Sequence, residues 1–378
     1  MAWVSSGRSA YKPNSHCPMR PIFDAHLDLA WNALYFNRDL LATVDQVRAS
    51  EKGLQDELSR GRNTITLPEL RQAGVAVCLA TLMGRSDPAW PKRRGFKRVD
   101  LDYENQAIAY AHAMGQLAYY RLLESQGHLR IITTRHQLTS HWEEWVLAPA
   151  TTPLGVILSM EGGDPILSAR QVETWWEQGL RAVGPVHYGR SHYAYGTGTN
   201  GPLGEAGVSL LKAFMQVGIV LDVTHLSDQS LSDALDVYSG PLLASHHNCR
   251  TLVPGDRQLT DEQIRLLIQR NAVIGTAFDN WMLAPNWKRG ESDPRQVFIA
   301  NAADHIDHIC QLAGNASHCA LGTDLDGGFG TEQTPGDLDV YSDLQKLGAI
   351  LDRRGYTAAD INGIFHANWF RFFSSALP

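Results

Sequence analysis

The chain has few cysteines and no long hydrophobic run. Its 378 residues include 5 cysteines, an odd number without a C-x-x-C pair, which argues against a disulfide framework and a zinc ribbon. No run approaches the roughly 18 apolar residues that a membrane helix requires, and residues 1–20 lack the apolar core of a secretory signal. These absences predict a protein of a reducing compartment, the cytoplasm, with no membrane partner.

Positive charge is also scarce. The formal net charge is -7 and the pI is near 6.1, whereas a nucleic-acid surface needs clustered lysine and arginine, so we expect no nucleic-acid partner. One basic cluster stands at 92–98, and Pro91 and Gly95 beside and within it indicate a solvated loop. A substrate-steering lid is the alternative that the sequence leaves open.

Short apolar runs alternate with longer segments of helical pattern, which is typical of parallel strands joined by crossover helices. The runs show little polar alternation, as strands buried on both faces do. They cover 21–25, 74–82, 154–160, 180–186, 218–224, 241–245, 272–278 and 319–323. Because a closed (β/α)₈ barrel needs eight such strands, we predict an α/β fold, a distorted TIM barrel formed by 21–378 after an N-terminal tail at 1–20.

An open, doubly wound sheet is the structural alternative. It predicts a glycine-rich phosphate turn after the first strand, yet the sequence there is Asp24-Ala25-His26-Leu27-Asp28. The barrel is therefore favoured, with loop insertions at its rim at 38–66 and 189–204. Thr260, followed three residues later by Gln263, predicts a capping box at the start of a helix.

Imidazole and carboxylate groups stand where four of the apolar runs end. They are His26, Asp28, Glu161, His225 and His246. Taken singly, each has an ordinary structural explanation, but a barrel gathers the C-terminal ends of its strands into one mouth, where these groups can share ions. Nitrogen and oxygen donors without a thiolate suit zinc or another first-row metal. A second His-x-Asp pair at 305–307 lies in a helical segment, where neighbours two apart diverge, and we expect a structural role for it.

Three further residues have the chemistry of a hydrolase. His187 follows the run at 180–186 and could donate a hydrogen bond to an oxyanion, although a structural histidine is equally compatible with the sequence. Asp324 could carry a proton from an attacking water to a leaving amine, and Asp326 competes with it as a turn residue. Arg257 could bind a carboxylate with its planar fork, although, taken alone, it is more readily explained as a surface arginine.

The order and wording of these segments resemble the membrane (renal-type) dipeptidases, peptidase family M19 of the amidohydrolase superfamily. The resemblance runs from about Pro21 to Phe373. It rests on Asp24-Ala25-His26-Leu27-Asp28-Leu29-Ala30-Trp31, Glu161-Gly162-Gly163, Asp222-Val223-Thr224-His225, Ser245-His246 and Gly322-Thr323-Asp324-Leu325-Asp326-Gly327. It implies a distorted (β/α)₈ barrel with two Zn²⁺ ions.

Carried over by position, the resemblance implies that His26 and Asp28 are ligands of one zinc. His225 and His246 are then ligands of the other zinc, and Glu161 bridges the two ions. The resemblance also makes His187 the residue that polarises the substrate, Arg257 the carboxylate-binding residue and Asp324 the catalytic acid and base.

The resemblance is incomplete at the seventh strand. Many family members have a tyrosine in the substrate pocket near the end of that strand, where this chain has Asp279 after Phe278. The added negative charge bears on the preferred substrate side chain, and we expect Asp279 to contact the substrate. We expect no counterpart of the lipid anchor that some animal relatives carry.

The leading hypothesis is a binuclear zinc dipeptidase in which a metal-bridging hydroxide attacks the peptide bond of a dipeptide. Two alternatives stay open: an amidohydrolase that acts on an N-acyl amino acid, a lactam or a lactone with the same metals, and a non-catalytic metal-binding barrel. Because relatives are often homodimers, a homodimer is one expected state.

Overall fold

The structure, a computed structural model, describes residues 19–86 and 102–378. The basic cluster at 92–98 and residues 1–18 of the predicted N-terminal tail lie outside the described residues. Within the described ranges the strands are β1 (Ile22–Leu27), β2 (Val75–Met83), β3 (Arg85–Ser86), β4 (Asp102–Tyr103), β5 (Leu129–Ile131), β6 (Leu154–Glu161), β7 (Leu180–Gly184), β8 (Val220–Asp222), β9 (Leu242–Leu243), β10 (Ile274–Thr276) and β11 (Cys319–Leu321).

Helices separate most of these strands. The α-helices are α1 (Leu29–Tyr35), α2 (Val44–Ser50), α3 (Leu67–Ala73), α4 (Gln106–Ser125), α5 (Arg135–Leu147), α6 (Val172–Glu177), α7 (Glu205–Val217), α8 (Asp228–Val237), α9 (Asp261–Gln269), α10 (Asn280–Leu283), α11 (Ile299–Ala313), α12 (Lys346–Arg353), α13 (Ala358–Asn362) and α14 (Asn368–Ala376). Short 3₁₀ turns cover Ala169–Gln171, Pro294–Gln296 and Tyr341–Gln345, and a π turn covers Gly363–Ala367. The predicted capping box of Thr260 and Gln263 opens α9, as expected.

The sheet is parallel and curled. Its strand order is β1-β2-β6-β7-β8-β9, with β5 paired to β6, and β10 pairs with β11. Each of the eight predicted apolar runs overlaps one of these strands, so the prediction of a distorted α/β barrel is confirmed. The three-residue strand β5 was not predicted, because three residues are too few to show a periodicity.

Side chains complete the barrel where the backbone ladders are short. A single parallel bridge between Ala244 and Ile274 joins the end of β9 to β10. Between β11 and β1 the connection is the buried carboxylate of Asp24, which accepts hydrogen bonds from the Thr323 amide at 2.9 Å and the Thr323 hydroxyl at 2.5 Å. This arrangement brings the end of the last strand beside the end of the first.

Two apolar clusters pack on the two faces of the curled sheet. One joins residues from most of the strands, among them Phe23, Ile157 and Val220, to aromatic residues of α14. Because nearly every strand contributes to it, this cluster is the interior of the barrel, and the rings of Phe23 and Phe373 stack there at 5.5 Å. The other cluster packs the outward-facing strand residues against the surrounding helices.

The two predicted rim insertions pack beside the mouth of the barrel. The insertion at 38–66 contains α2, and its Thr64 donates backbone and hydroxyl hydrogen bonds to Asp326. The insertion at 189–204 brings the Thr197 hydroxyl to 2.9 Å from His225 Nδ1. Among the helices of residues 19–86 and 102–378, none combines the length and apolarity that crossing a bilayer requires.

Candidate active site

The five predicted metal-binding residues meet at the C-terminal ends of their strands. His26 belongs to β1 and Glu161 ends β6, while Asp28, His225 and His246 lie just beyond β1, β8 and β9. The Glu161 carboxylate lies at the centre of the group. All five side chains are buried, with exposed fractions between 1% and 7%, so they face one another rather than solvent.

Four histidine nitrogens surround the Glu161 carboxylate. Its Oε1 lies 3.1 Å from His225 Nε2 and 3.3 Å from His246 Nε2, while its Oε2 lies 3.6 Å from His26 Nε2. His187 Nε2 lies 3.7 Å from the same Oε2. The two oxygens therefore face different histidine sets, as the two oxygens of a bridging carboxylate do.

Two aspartates complete the side of the cluster near β1. His26 Nε2 lies 3.5 Å from Asp28 Oδ2 and 3.8 Å from Asp324 Oδ1. Burial alone lowers the pKa of His26, but the charges of Glu161 and Asp28 outweigh burial and raise it to about 10. Burial raises the pKa of Glu161 to about 7. Both shifts reflect several acids buried close together around His26.

The residues present fit divalent cations. Both Asp28 carboxylate oxygens, Glu161 Oε1 and His26 Nε2 are buried without a hydrogen-bond partner, although burying polar atoms unpaired is costly. Ligand atoms of His26, Glu161 and His246 lie within 4.8 Å of one another, as do those of Glu161, His187 and His225, and those of His26, Asp28 and Asp324. Cations at these positions would satisfy the unpaired atoms.

The backbone around these residues is held by buried acids and close strand contacts. Asp222 accepts hydrogen bonds from the Thr224 and Ser245 amides, both at 3.0 Å, and so joins the end of β8 to the end of β9. The carbonyl of Ser245 passes so close to Gly275 and Gly322 that a Cβ on either would approach it within 1.8 Å. Only glycine fits there, and His246 follows directly.

Two of the site residues adopt the left-handed backbone conformation. His225 has a φ of 70° and Asp324 a φ of 57°, values that residues other than glycine rarely adopt. Such conformations cost on the order of 1–3 kcal/mol and cluster at functional sites, where surrounding contacts enforce them. Burial raises the pKa of Asp324 well above its usual value. Asp326, the competing aspartate, instead accepts hydrogen bonds from Thr64 and Ile65 and has a structural role.

Arg257 is buried beside the backbone of His246. It is 1% exposed, its Nη2 donates to the His246 carbonyl at 3.0 Å, and its Nε and Nη1 have no hydrogen-bond partner. Burial first, and the charge of Arg257 second, hold the pKa of His225 well below its usual value. In the nearby Arg250, by contrast, both terminal nitrogens bind the Asp228 carboxylate.

A pocket of about 510 Å³ opens over the cluster. Asp28, Glu161, His187, His225, His246 and Asp324 line it, and so does Asp279. Arg257 is not among its lining residues. The pocket also exposes residues that the sequence did not single out, namely Trp31, Arg85, Tyr188, Trp281, Arg289, Phe329 and Gln333. Several of these come from loops whose position the strand pattern does not predict.

The second His-x-Asp pair is structural, as expected. Both residues lie on α11, where His305 Nδ1 accepts a hydrogen bond from the Cys249 amide at 3.0 Å. Asp307 forms an ion pair with Arg354 and accepts a hydrogen bond from the Tyr356 hydroxyl.

The site geometry agrees with the comparison of the whole chain with known families. The model of the membrane dipeptidase family, peptidase family M19, matches residues 17–377. The chain belongs to this family. It is therefore an enzyme, a metal-dependent hydrolase of the dipeptidase type, and the resemblance inferred from its motifs is confirmed.

Curated relatives match parts of the chain. The uncharacterized protein in the pqqA 5′ region of Klebsiella pneumoniae is 28% identical over 269 residues, which cover 68% of this chain and 93% of that protein. Dipeptidase tcpJ of Claviceps purpurea (strain 20.1) is 27% identical over 197 residues, covering 51% of this chain and 44% of that protein. This match therefore spans less than half of the Claviceps protein.

Solved structures share the fold over nearly the whole chain. A metallopeptidase from Rhodobacter sphaeroides, liganded with a phosphinate mimic of the dipeptide L-Ala-D-Ala, aligns with a TM-score of 0.75 at 21% identity. The alignment covers 95% of this chain and 99% of that one. The probable dipeptidase PvdM from Pseudomonas aeruginosa aligns with a TM-score of 0.72 at 16% identity, covering 94% and 95% of the two chains.

Proposed function

We propose that this enzyme hydrolyses dipeptides with two divalent cations, preferentially zinc, held on either side of Glu161. The observation that carries the proposal is the set of buried, unpartnered oxygen and nitrogen atoms on Asp28, Glu161 and His26. His26 and Asp28 would hold one cation, and His225 and His246 the other. When bound, such a pair supplies Lewis acidity and a water whose pKa is lowered to about 7.

The remaining polar residues would act on the substrate. His187 lines the pocket with its Nε2 beside the Glu161 carboxylate, where an N–H can donate to the oxygen of the scissile carbonyl. Asp324 Oδ1 lies 3.8 Å from His26 Nε2, and desolvation raises the pKa of the Asp324 carboxyl well above its usual value. It would hold the proton that the leaving amine requires.

Arg257 would select substrates with a free carboxylate. A guanidinium that is buried with Nε and Nη1 unpartnered has donors to offer, and a carboxylate accepts charge-assisted hydrogen bonds from such donors. A pocket of about 510 Å³ limits the substrate to a small molecule. Together, the Arg257 donors and the small pocket favour dipeptides over longer peptides, because the carboxyl group of a dipeptide is one residue from the scissile bond.

Asp279 would favour a positively charged group in the substrate. Its Oδ1 accepts a hydrogen bond from the Trp281 amide at 3.2 Å and its Oδ2 from Gln333 Nε2 at 3.0 Å. Both donors are neutral, and none of the described residues forms an ion pair with Asp279. Burial raises its pKa to about 7. An ammonium or guanidinium group of the substrate would stabilise the ionised carboxylate.

A substrate panel tests this proposal. Zinc-loaded enzyme should hydrolyse dipeptides with L or D C-terminal residues, and it should act less on the same dipeptides with an amidated C-terminus. N-acyl amino acids, lactams and lactones form the comparison set, because Asp279 is also compatible with a related amidohydrolase. Turnover confined to that set, or no turnover at full metal loading, would overturn the dipeptidase proposal.

An Arg257→Met variant tests the carboxylate-binding role. Loss of charge-assisted hydrogen bonds worth about 1.5–3 kcal/mol should raise KM for dipeptides about tenfold or more, while metal content stays unchanged. Arg250→Met is the matched control, because both terminal nitrogens of Arg250 bind Asp228, whereas Arg257 has unpartnered nitrogens. Equal KM values for the Arg257→Met variant and the wild type would contradict the role.

A further inference from the structure

We propose that Arg85 fixes the tautomer of His187 and thereby makes this histidine a hydrogen-bond donor into the pocket instead of a metal ligand. The catalytic consequence rests on the proposed dipeptidase function, whereas the tautomer itself does not. Arg85 is a positioning residue in this proposal, because it acts through His187.

Distance alone does not separate His187 from the metal-binding histidines. Its Nε2 lies 3.7 Å from Glu161, close to the 3.1 Å and 3.3 Å of His225 and His246. With Glu161 and His225 it also forms one of the groups that could hold an ion. What decides is which ring nitrogen carries the proton, because a metal binds only a nitrogen with a free lone pair.

The partners at Nδ1 of His225 and His246 are hydroxyl groups. Thr197 Oγ1 lies 2.9 Å from His225 Nδ1, and Ser245 Oγ lies 2.9 Å from His246 Nδ1. A hydroxyl oxygen can accept a hydrogen bond, so each ring can carry its proton on Nδ1 and leave the Nε2 lone pair free for a cation. These two histidines have the arrangement that metal ligation requires.

The partner at Nδ1 of His187 is a guanidinium. Arg85 Nη1 lies 3.1 Å from His187 Nδ1, and a guanidinium has donors only, so Nδ1 must accept. The proton of the neutral ring is then on Nε2, which faces the pocket. A protonated Nε2 cannot bind a cation and is suited to donate to a substrate oxygen. The Nδ1 partner thus distinguishes His187, a hydrogen-bond donor, from His225 and His246, whose Nε2 atoms are free to bind a cation.

The tautomer can be read without substrate or metal. In protein labelled with ¹⁵N-histidine, we expect His187 Nδ1 to resonate as an unprotonated nitrogen and Nε2 as a protonated one, with assignment from the His187→Gln variant. In Arg85→Met, the population with a protonated Nδ1 should rise, and Arg85→Lys should restore the wild-type pattern because a lysine also only donates. A protonated Nδ1 in the wild type would overturn the proposal.

Kinetics test the consequence. If His187 donates to the oxyanion, Arg85→Met should lower kcat by about tenfold or more, within the about 10²–10³-fold that loss of one such donor costs, and KM should change less than twofold. In a His187→Gln background, Arg85→Met should have no further effect, since the two residues act as a unit. Arg121→Met on the exposed face of α4 controls for loss of an arginine.

The outcomes separate this proposal from the proposed function. Additive effects of the two substitutions, or a rise in KM at constant kcat, would show that Arg85 binds substrate by itself and would overturn the positioning role. The enzyme could lack dipeptidase activity while His187 still shows the expected nitrogen pattern. That result would contradict the proposed function alone and leave the tautomer assignment intact.

Discussion

The two sides of the Glu161 carboxylate are built from similar residues but differ in charge. On the side of β1, His26 lies beside Asp28 and Asp324, and the acids raise its pKa to about 10 although burial opposes this. On the side of β8 and β9, burial and neighbouring positive groups hold the pKa values of His225 and His246 well below the usual value. The β1 side therefore attracts a cation through the negative charge of its carboxylates. The side of β8 and β9 attracts it through the lone pairs of neutral histidines.

The comparison teaches that neighbours decide what a histidine does at a strand end. His26 has carboxylates beside it, His225 and His246 have hydroxyls at Nδ1, and His187 has a guanidinium. All four side chains lie within 4 Å of Glu161, so their separate roles come from these second contacts.

The largest effect is expected where the two sides meet. Glu161→Gln removes the shared carboxylate, so both metal positions should weaken together, and kcat/KM should fall by more than the about 10²–10³-fold that loss of a single transition-state donor costs. Metal analysis of the purified variant against the wild type measures the first effect. Wild-type metal content in this variant would show that the two sides bind independently.

Asp324→Asn should separate proton transfer from metal binding on the β1 side. We expect kcat to fall about 10²-fold or more, as loss of a general acid or base does, while metal content stays that of the wild type. Asp28→Asn is the matched comparison on the same side, and it should lower metal content. If Asp324→Asn loses as much metal as Asp28→Asn, Asp324 is a ligand and not the proton carrier.

Removing the hydroxyl partners should weaken only the neutral side. Thr197→Val deletes the acceptor at His225 Nδ1, and Ser245→Ala deletes that at His246 Nδ1. Each should lower the affinity of the cation bound by these histidines about 10–100-fold. Metal titration followed by calorimetry should show one weakened and one unchanged site. Equal weakening of both sites would contradict the division.

The smallest effect concerns Asp279, away from both sides. Burial raises the pKa of Asp279 from 3.8 to about 7 in the folded state. Between about pH 4 and pH 7, Asp279 is therefore protonated in the native state and ionised in the unfolded state. This contribution to stability therefore falls as the pH rises through that window. Relative to wild type, the Tm of Asp279→Asn should rise by about 2–4 °C between pH 4.5 and pH 8. A pH-independent difference in Tm would contradict the shifted pKa.

The convergence of the proposed metal-binding residues was predictable because strand ends in a barrel converge. His26, Glu161 and His246 are far apart in sequence, yet each follows or ends an apolar run, and the barrel mouth is where such residues meet. Asp324 follows the eighth apolar run in the same way, and the structure brings its Oδ1 to 3.8 Å from His26 Nε2. The runs were identified by their apolar composition, and the strands that they predicted are buried.

The rest of the site depends on loops. Arg85 lies in a two-residue strand, Thr197 in a rim insertion and Gln333 in a turn, and no periodicity marks such positions. Their roles follow only from the atoms they approach. Asp326 shows the opposite case, since its motif suggested chemistry, whereas its hydrogen bonds to Thr64 and Ile65 show that it anchors the rim. The cytoplasmic location and a homodimer stay predictions.

The most direct test of the account is metal content measured together with dipeptide hydrolysis in one preparation. We predict two divalent cations per chain at full activity, loss of activity on chelation, and recovery when zinc is returned. Full hydrolysis by chelated enzyme, or binding of no divalent cation at saturating zinc, would contradict the shared centre around Glu161.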